Sequence, residues 1–200
     1  MPNKRTLQKK ATKQKIFAAA VQLTKEHGFN QISIKQIVST AHVSTGTFYL
    51  YFKSKQDIIS QIYYENLNQT MQALLAELKT RPGSHPLHNL NQLLNAEFKF
   101  AANMGVEITT RAFIANLDAN LQSPGNHFKQ RTFTDGLRTE LHEAILAKEI
   151  SASDEDRLFL EIETMVRGMM LSWCFANGRF DIQATGTQLI NDFFTNNQAN

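Results

Sequence analysis

Two hundred residues, 42% of them hydrophobic, suffice to bury a core, which excludes an intrinsically disordered chain. No apolar run approaches the roughly 18 residues a membrane span needs, and MPNKRTLQKKATKQK has no apolar stretch behind its basic residues, so the expected setting is the cytoplasm, with no membrane contact. The formal charge of +3 is unevenly spread: before position 56, ten basic residues (Lys4, Arg5, Lys9, Lys10, Lys13, Lys15, Lys25, Lys35, Lys53 and Lys55) stand against Glu26 alone, a net +9 that leaves −6 for the remainder. A segment this basic attracts polyanions, and the acidic remainder orients it toward them.

Helical spacing runs almost throughout, with Pro and Gly between periodic segments and no strand-like alternation, so the expected fold is all-α with about nine helices. The first is expected from Thr12 to His27, stopped by Gly28. Ser33 and Gln36 then form an S-x-x-Q capping box, with Ile32 and Ile37 at the positions of a hydrophobic staple, so a short amphipathic helix starts there. After Ala41 the chain turns through His42 and Val43, and Ser44 caps another short helix through Tyr51. Two short helices with so brief a link make a helix-turn-helix.

Ser54 and Asp57 cap a fourth helix whose apolar spacing lasts to Arg81-Pro82-Gly83, about 39 Å at 1.5 Å per residue, long enough to tie a head to a distant body. Further helices are expected near Pro86 to Asn103, Val106 to Leu117, His127 to Lys148, Asp154 to Asn177 and Ile182 to Thr195, with a mobile loop over Asp118 to Asn126. The boundaries divide the chain into a head, residues 1–57, and a helical body, residues 58–200. Cys174 is the only cysteine, so no intrachain disulfide forms, and between Trp173 and Phe175 it reads as a packed thiol.

The segments TKQKIFAAAVQLTKEHGF and SIKQIVSTAHVSTGTFYLYFKSKQDI resemble the TetR family of helix-turn-helix transcriptional regulators. Val43, Ser44, Gly46, Phe48, Tyr49, Tyr51, Phe52, Ser54 and Lys55 stand where the family pattern V-S-x-G-x-[FL]-Y and its following aromatic-F-x-[NS]-K run ask. Two positions depart: His42 replaces the usual turn glycine, and Tyr51 stands where histidine is common. Histidine tolerates positive φ better than most residues, so the turn is expected to survive.

The resemblance implies a DNA-binding regulator, a repressor that grips a palindromic operator as a homodimer and is released by a small apolar or aromatic effector. In the major groove Thr45 and Thr47 can bond base edges and touch thymine methyls, while Gly46 permits close approach. Ser33, Ser44, Tyr49, Tyr51 and Lys55 suit phosphate contacts, and Lys35 resembles a position that reaches a base edge. Phe48 and Phe52 read as core pins.

In the body, Phe98, Met104, Phe113, Phe133, Met165 and Met169 are the adaptable or aromatic residues an effector pocket would use, with Arg111 and His142 for polar recognition. Gly168, Trp173, Ile182, Leu189 and Phe193 are the candidate dimer interface, a four-helix bundle across a twofold axis. His85 and His88 form an H-x-x-H pair without further ligands nearby, so neither a metal site nor a cofactor is expected. The alternative function is a DNA-binding protein of the same fold whose body recruits a protein partner. An enzyme is not expected, since no H-E-x-x-H, G-x-S-x-G, phosphate-loop or dinucleotide motif is present.

Overall fold

The computed structural model describes residues 4–81, 85–122, 132–151 and 154–197, with the side chains of 60, 196 and 197 left aside. Among these residues the chain forms nine helices and no strand: α1 Lys4–His27, α2 Ile34–Thr40, α3 Thr45–Tyr51, α4 Lys55–Thr80, α5 Pro86–Met104, α6 Val106–Gln122, α7 Thr132–Leu146, α8 Glu155–Phe175 and α9 Ile182–Asn197. The all-α expectation holds. No described helix is long and apolar enough to cross a membrane.

Two local expectations are corrected. α1 begins at Lys4, not Thr12: the intervening Leu, Gln, Lys and Ala residues favour helix, and the Thr12 hydroxyl donates to the Gln8 carbonyl at 2.9 Å as an interior helical threonine does. The segment Asp118–Gln122 is the last turn of α6 and not a loop; the rest of that expected loop, with the expected start of α7 at His127, lies outside the described residues.

The chain forms two compact units. Unit 1 comprises Met1–Asn66 and Glu107–Gln122, so it holds α1 to α3, the first half of α4 and nearly all of α6. Its core is Ile16, Phe17, Phe29, Ile37, Phe48, Phe52 and Ile62, all buried, around which α1 packs on α2 and α2 on α3. Polar bonds tie the helices at their edges: Lys13 to Gln61 and Gln14 to Asn66 join α1 to α4, and Asn116 donates to the Tyr64 hydroxyl to join α6 to α4.

Unit 2 comprises Leu67–Val106 and Ser123–Asn200 and is built around α5, which packs on α7, α8 and α9. Glu149 caps α5 from outside the helix, accepting the Leu87 N–H at 2.8 Å, and Asn89 donates to buried Glu140 on α7 at 2.9 Å. Two glycines allow close approach. A Cβ on Gly136 would fall 2.9 Å from Leu75, and one on Gly186 would collide with the Phe98 ring.

Candidate nucleic-acid interface

The head's exposed edge is made by two capped helices and the turn between them. The Ser33 hydroxyl takes the Gln36 N–H at 3.2 Å while the Gln36 side chain takes the Ser33 N–H at 2.8 Å, the reciprocal capping box, and Ile32 and Ile37 are both buried beneath it. α2 ends in a turn whose His42 has φ 53°, with Val43 N–H bonded back to the Val38 carbonyl at 3.0 Å. Histidine thus occupies the left-handed position that the sequence assigned to it.

The turn delivers Ser44, whose hydroxyl accepts the Thr47 N–H at 3.0 Å and lies 2.8 Å from the Thr47 hydroxyl. Thr47 is therefore half-buried and engaged with its own cap, whereas Thr45, Gly46 and Tyr49 are exposed. With 100° between residues, Thr45, Gly46, Tyr49 and Leu50 share one arc of α3, on the side away from buried Phe48. Leu50 is 74% exposed and escaped the sequence reading, which counted it only as part of the helix. Ser33, Lys35 and Ser44 are exposed as well, and Tyr51 is half-buried.

Lys55 has a different setting. Its ammonium donates to the carbonyls of Phe29 at 2.7 Å and Ile32 at 2.5 Å and lies 4.8 Å from the Phe29 ring centroid. Burial lowers its pKa, as does the charge of Arg111, against an opposing pull from Glu107. The same aromatic ring carries Arg111 at 4.0 Å on centroid distance, and Glu107 joins the group by accepting the Phe29 N–H at 2.8 Å and pairing with Arg111 at 2.8 Å. Arg111 also reaches Asn30 at 3.0 Å. Two residues of α6, Glu107 and Arg111, thereby fasten the turn that follows α1.

Of the eight basic residues other than Lys13 and Lys55 in the first 55 positions, all are exposed: Lys4, Arg5, Lys9, Lys10, Lys15, Lys25, Lys35 and Lys53.

The residues expected to line an effector pocket are divided. Arg111 and Phe113 lie in unit 1 on α6. The other six lie in unit 2: Phe98 and Phe133 are buried, Met104, Met165 and Met169 are half-buried, and His142 is exposed with its Nδ1 3.0 Å from Glu155. The expected interface residues divide too. Trp173 is only 6% exposed, its Nε1 donating to the Phe180 carbonyl at 3.0 Å, and Ile182 is buried, whereas Leu189 and Phe193 are half-buried and a Cβ on Gly168 would meet open space. Leu160 and Phe175, 62% and 89% exposed, share the Gly168 face of α8. Their spacing of eight and seven residues from Gly168 is the signal that marks that face.

A basic three-helix unit that presents a short capped helix after a tight turn defines a helix-turn-helix DNA-binding transcriptional regulator. Within that class, the chain matches at residues 16–62 the family model described as bacterial regulatory proteins, tetR family. It is 24% identical over 187 residues to a fatty acid metabolism regulator protein of Bacillus subtilis (strain 168), covering 92% of this chain and 94% of that one. The fold is similar to that of the transcriptional regulator FadR from Bacillus subtilis in complex with stearoyl-CoA, with a TM-score of 0.67, 22% identity, and coverage of 89% of this chain and 95% of that chain. It is also similar to a putative transcriptional regulator from Saccharomonospora viridis in complex with choline, with a TM-score of 0.70, 16% identity, and coverage of 94% and 97% respectively.

Proposed function

We propose that the chain is a cytoplasmic repressor that binds a palindromic operator as a homodimer and is released by a small apolar effector. The observation that carries this reading is the outer arc of α3, Thr45, Gly46 and Tyr49, exposed within a head whose lysines outnumber its acids. Thr45 and Lys35 read base edges, with Thr47 supporting α3 through its cap. Ser33, Ser44, Tyr49 and Tyr51 hold phosphates, and Lys55 adds its remaining N–H to them while bracing the α1–α2 turn.

Two copies meet on the outward faces of α8 and α9, where Leu160, Gly168 and Phe175 join Leu189 and Phe193, with Trp173 and Ile182 supporting that face from beneath. Glycine at position 168 has no reason inside the protomer, where alanine would be about 1 kcal/mol more favourable in a helix, and a close helix crossing supplies one.

The effector lies in unit 2 among Phe98, Met104, Phe133, Met165 and Met169, with His142 at its polar edge. A long-chain acyl thioester is the first class to test, because the near full-length relative is named for fatty acid metabolism and FadR from Bacillus subtilis, similar in fold, holds stearoyl-CoA. α4 belongs to both units and Glu107 and Arg111 of α6 fasten the head, so a ligand that displaces either helix alters the head and spoils the fixed spacing of two half-sites.

The test is fluorescence anisotropy with an operator selected from a randomised duplex library, with and without stearoyl-CoA, and with choline as a comparison. The expected result is tight, salt-sensitive operator binding that stearoyl-CoA weakens, with the operator weakening stearoyl-CoA by the same factor. No selected sequence would overturn the DNA-binding reading. Selection without any stearoyl-CoA effect would overturn only the choice of effector.

A further inference from the structure

We infer that Leu50 is a specificity-determining residue, reading the 5-methyl group of one thymine in each half-site. The inference rests on the operator-binding reading above. A single exposed leucine is ordinary on a protein surface, so exposure alone decides nothing. Its position does.

Leu50 lies four residues after Gly46, and residues four apart are neighbours on a helix surface. With no side chain at Gly46, nothing on α3 screens the Leu50 isobutyl group from whatever covers that arc. Beyond Gly46 on the same arc lie Tyr49 and then Thr45, both exposed, while Phe48 on the opposite side is buried and fixes the rotation of the helix. Any surface that meets Thr45 and Gly46 closely therefore meets Leu50 as well.

Charge names the occupant. Eight exposed basic residues lie in the first 55 positions, where Glu26 is the sole acidic residue, which favours a polyanion over an apolar protein groove. Leu50 has neither donor nor acceptor, so it cannot recognise a base edge by hydrogen bonding. The apolar group that the major groove offers is the thymine methyl. The placement thus gives α3 two chemistries: hydrogen bonding from Thr45 and apolar contact from Leu50.

Deoxyuridine isolates the claim, since it removes that methyl and leaves the pairing edge intact. Each thymine of the selected half-site is replaced in turn, and the dissociation constant is measured for wild type, Leu50→Ala and Leu50→Asn. For wild type, one position is expected to weaken binding about fourfold per half-site, the factor for one buried methyl-sized group. Both variants are expected to bind the thymine operator more weakly and to be indifferent to uracil at that position. A 5-methylcytosine placed there is expected to bind wild type better than cytosine does, because it restores the methyl. Leu50→Ala retaining the wild-type uracil profile would overturn the inference, as would a wild type for which no thymine methyl matters. Failure of wild type to select any DNA sequence would instead overturn the operator-binding reading itself. Circular dichroism of both variants is expected to match wild type, since the replaced side chain is outside the core.

Discussion

Helices α3 and α8 present the same pair of features on their outer faces, an exposed glycine with large apolar side chains beside it, yet their electrostatic settings are opposite. The head that carries Gly46 and Leu50 has eight exposed basic residues in its first 55 positions, against Glu26 as the sole acidic residue there. Around Gly168 and Phe175 the charges cancel locally, Arg157 pairing with Glu161 at 2.9 Å and Arg167 with Glu163 at 2.8 Å, each within one turn of α8. An apolar face in a strong positive field suits a polyanion with apolar spots. The same face among cancelled charges suits another apolar face, and a second copy of the chain supplies one.

The same charge placed on each of the two faces is expected to have opposite consequences. Phe175→Arg is expected to give monomers in light scattering and to lower operator affinity at least a hundredfold, because one head contacts too few phosphates to hold alone. Leu50→Arg is expected to leave the dimer intact and to raise affinity for unselected DNA. A dimeric Phe175→Arg would place the interface elsewhere.

Salt is expected to separate the faces next. Raising it from about 50 to about 200 mM lowers affinity on the order of a thousandfold for a protein with six to ten phosphate contacts. The dimer, held by apolar area, is expected to persist over the same range in analytical ultracentrifugation. Equal sensitivity of both equilibria would mean that the two faces do not differ in kind.

Much of the head was legible in the sequence because its signals are local. The Ser33–Gln36 box, the Ser44 cap and the tolerance of His42 for a left-handed turn depend on neighbours within four residues, and each appears as expected. What escaped depends on distant partners. No sequence pattern says that Lys55 faces two carbonyls of the α1–α2 turn, or that Glu107 and Arg111 join Phe29, because those contacts bridge segments 23 to 82 residues apart. In the body, apolar density identified α8 and α9 but not which side faces outward. Trp173, the largest residue of that stretch, is buried, and the outward face is marked by the less conspicuous Leu160 and Gly168.

The Phe29 group offers a smaller test, of head stability alone. Glu107→Ala leaves the Phe29 N–H without its acceptor and Arg111 without its carboxylate, and is expected to cost about 1–2 kcal/mol in denaturant unfolding. Ser33→Ala is expected to cost about 1 kcal/mol through the lost cap. Full stability in Glu107→Ala would remove α6 from the set of elements that brace the head.

The smallest expected effect concerns His142 and sharpens the contrast from the body's side, where charges are paired. Its Nδ1 lies 3.0 Å from Glu155, and its pKa is raised above 6.5, first by that hydrogen bond, then by the carboxylate's charge, with Glu143 adding to it and slight desolvation opposing. The folded state therefore holds the proton more tightly than the unfolded chain. The contribution is fully present below the unfolded value of 6.5 and is lost as pH rises through the higher folded value. Because the ring is solvent-exposed, the melting temperature is expected to move only slightly. Wild type should melt above His142→Gln at about pH 5.5 and match it at about pH 8.5, in scans at constant ionic strength. A constant gap across that range would mean that the substitution acts through packing and not through the proton. A gap that grows toward alkaline pH would reverse the sign argued for this pair.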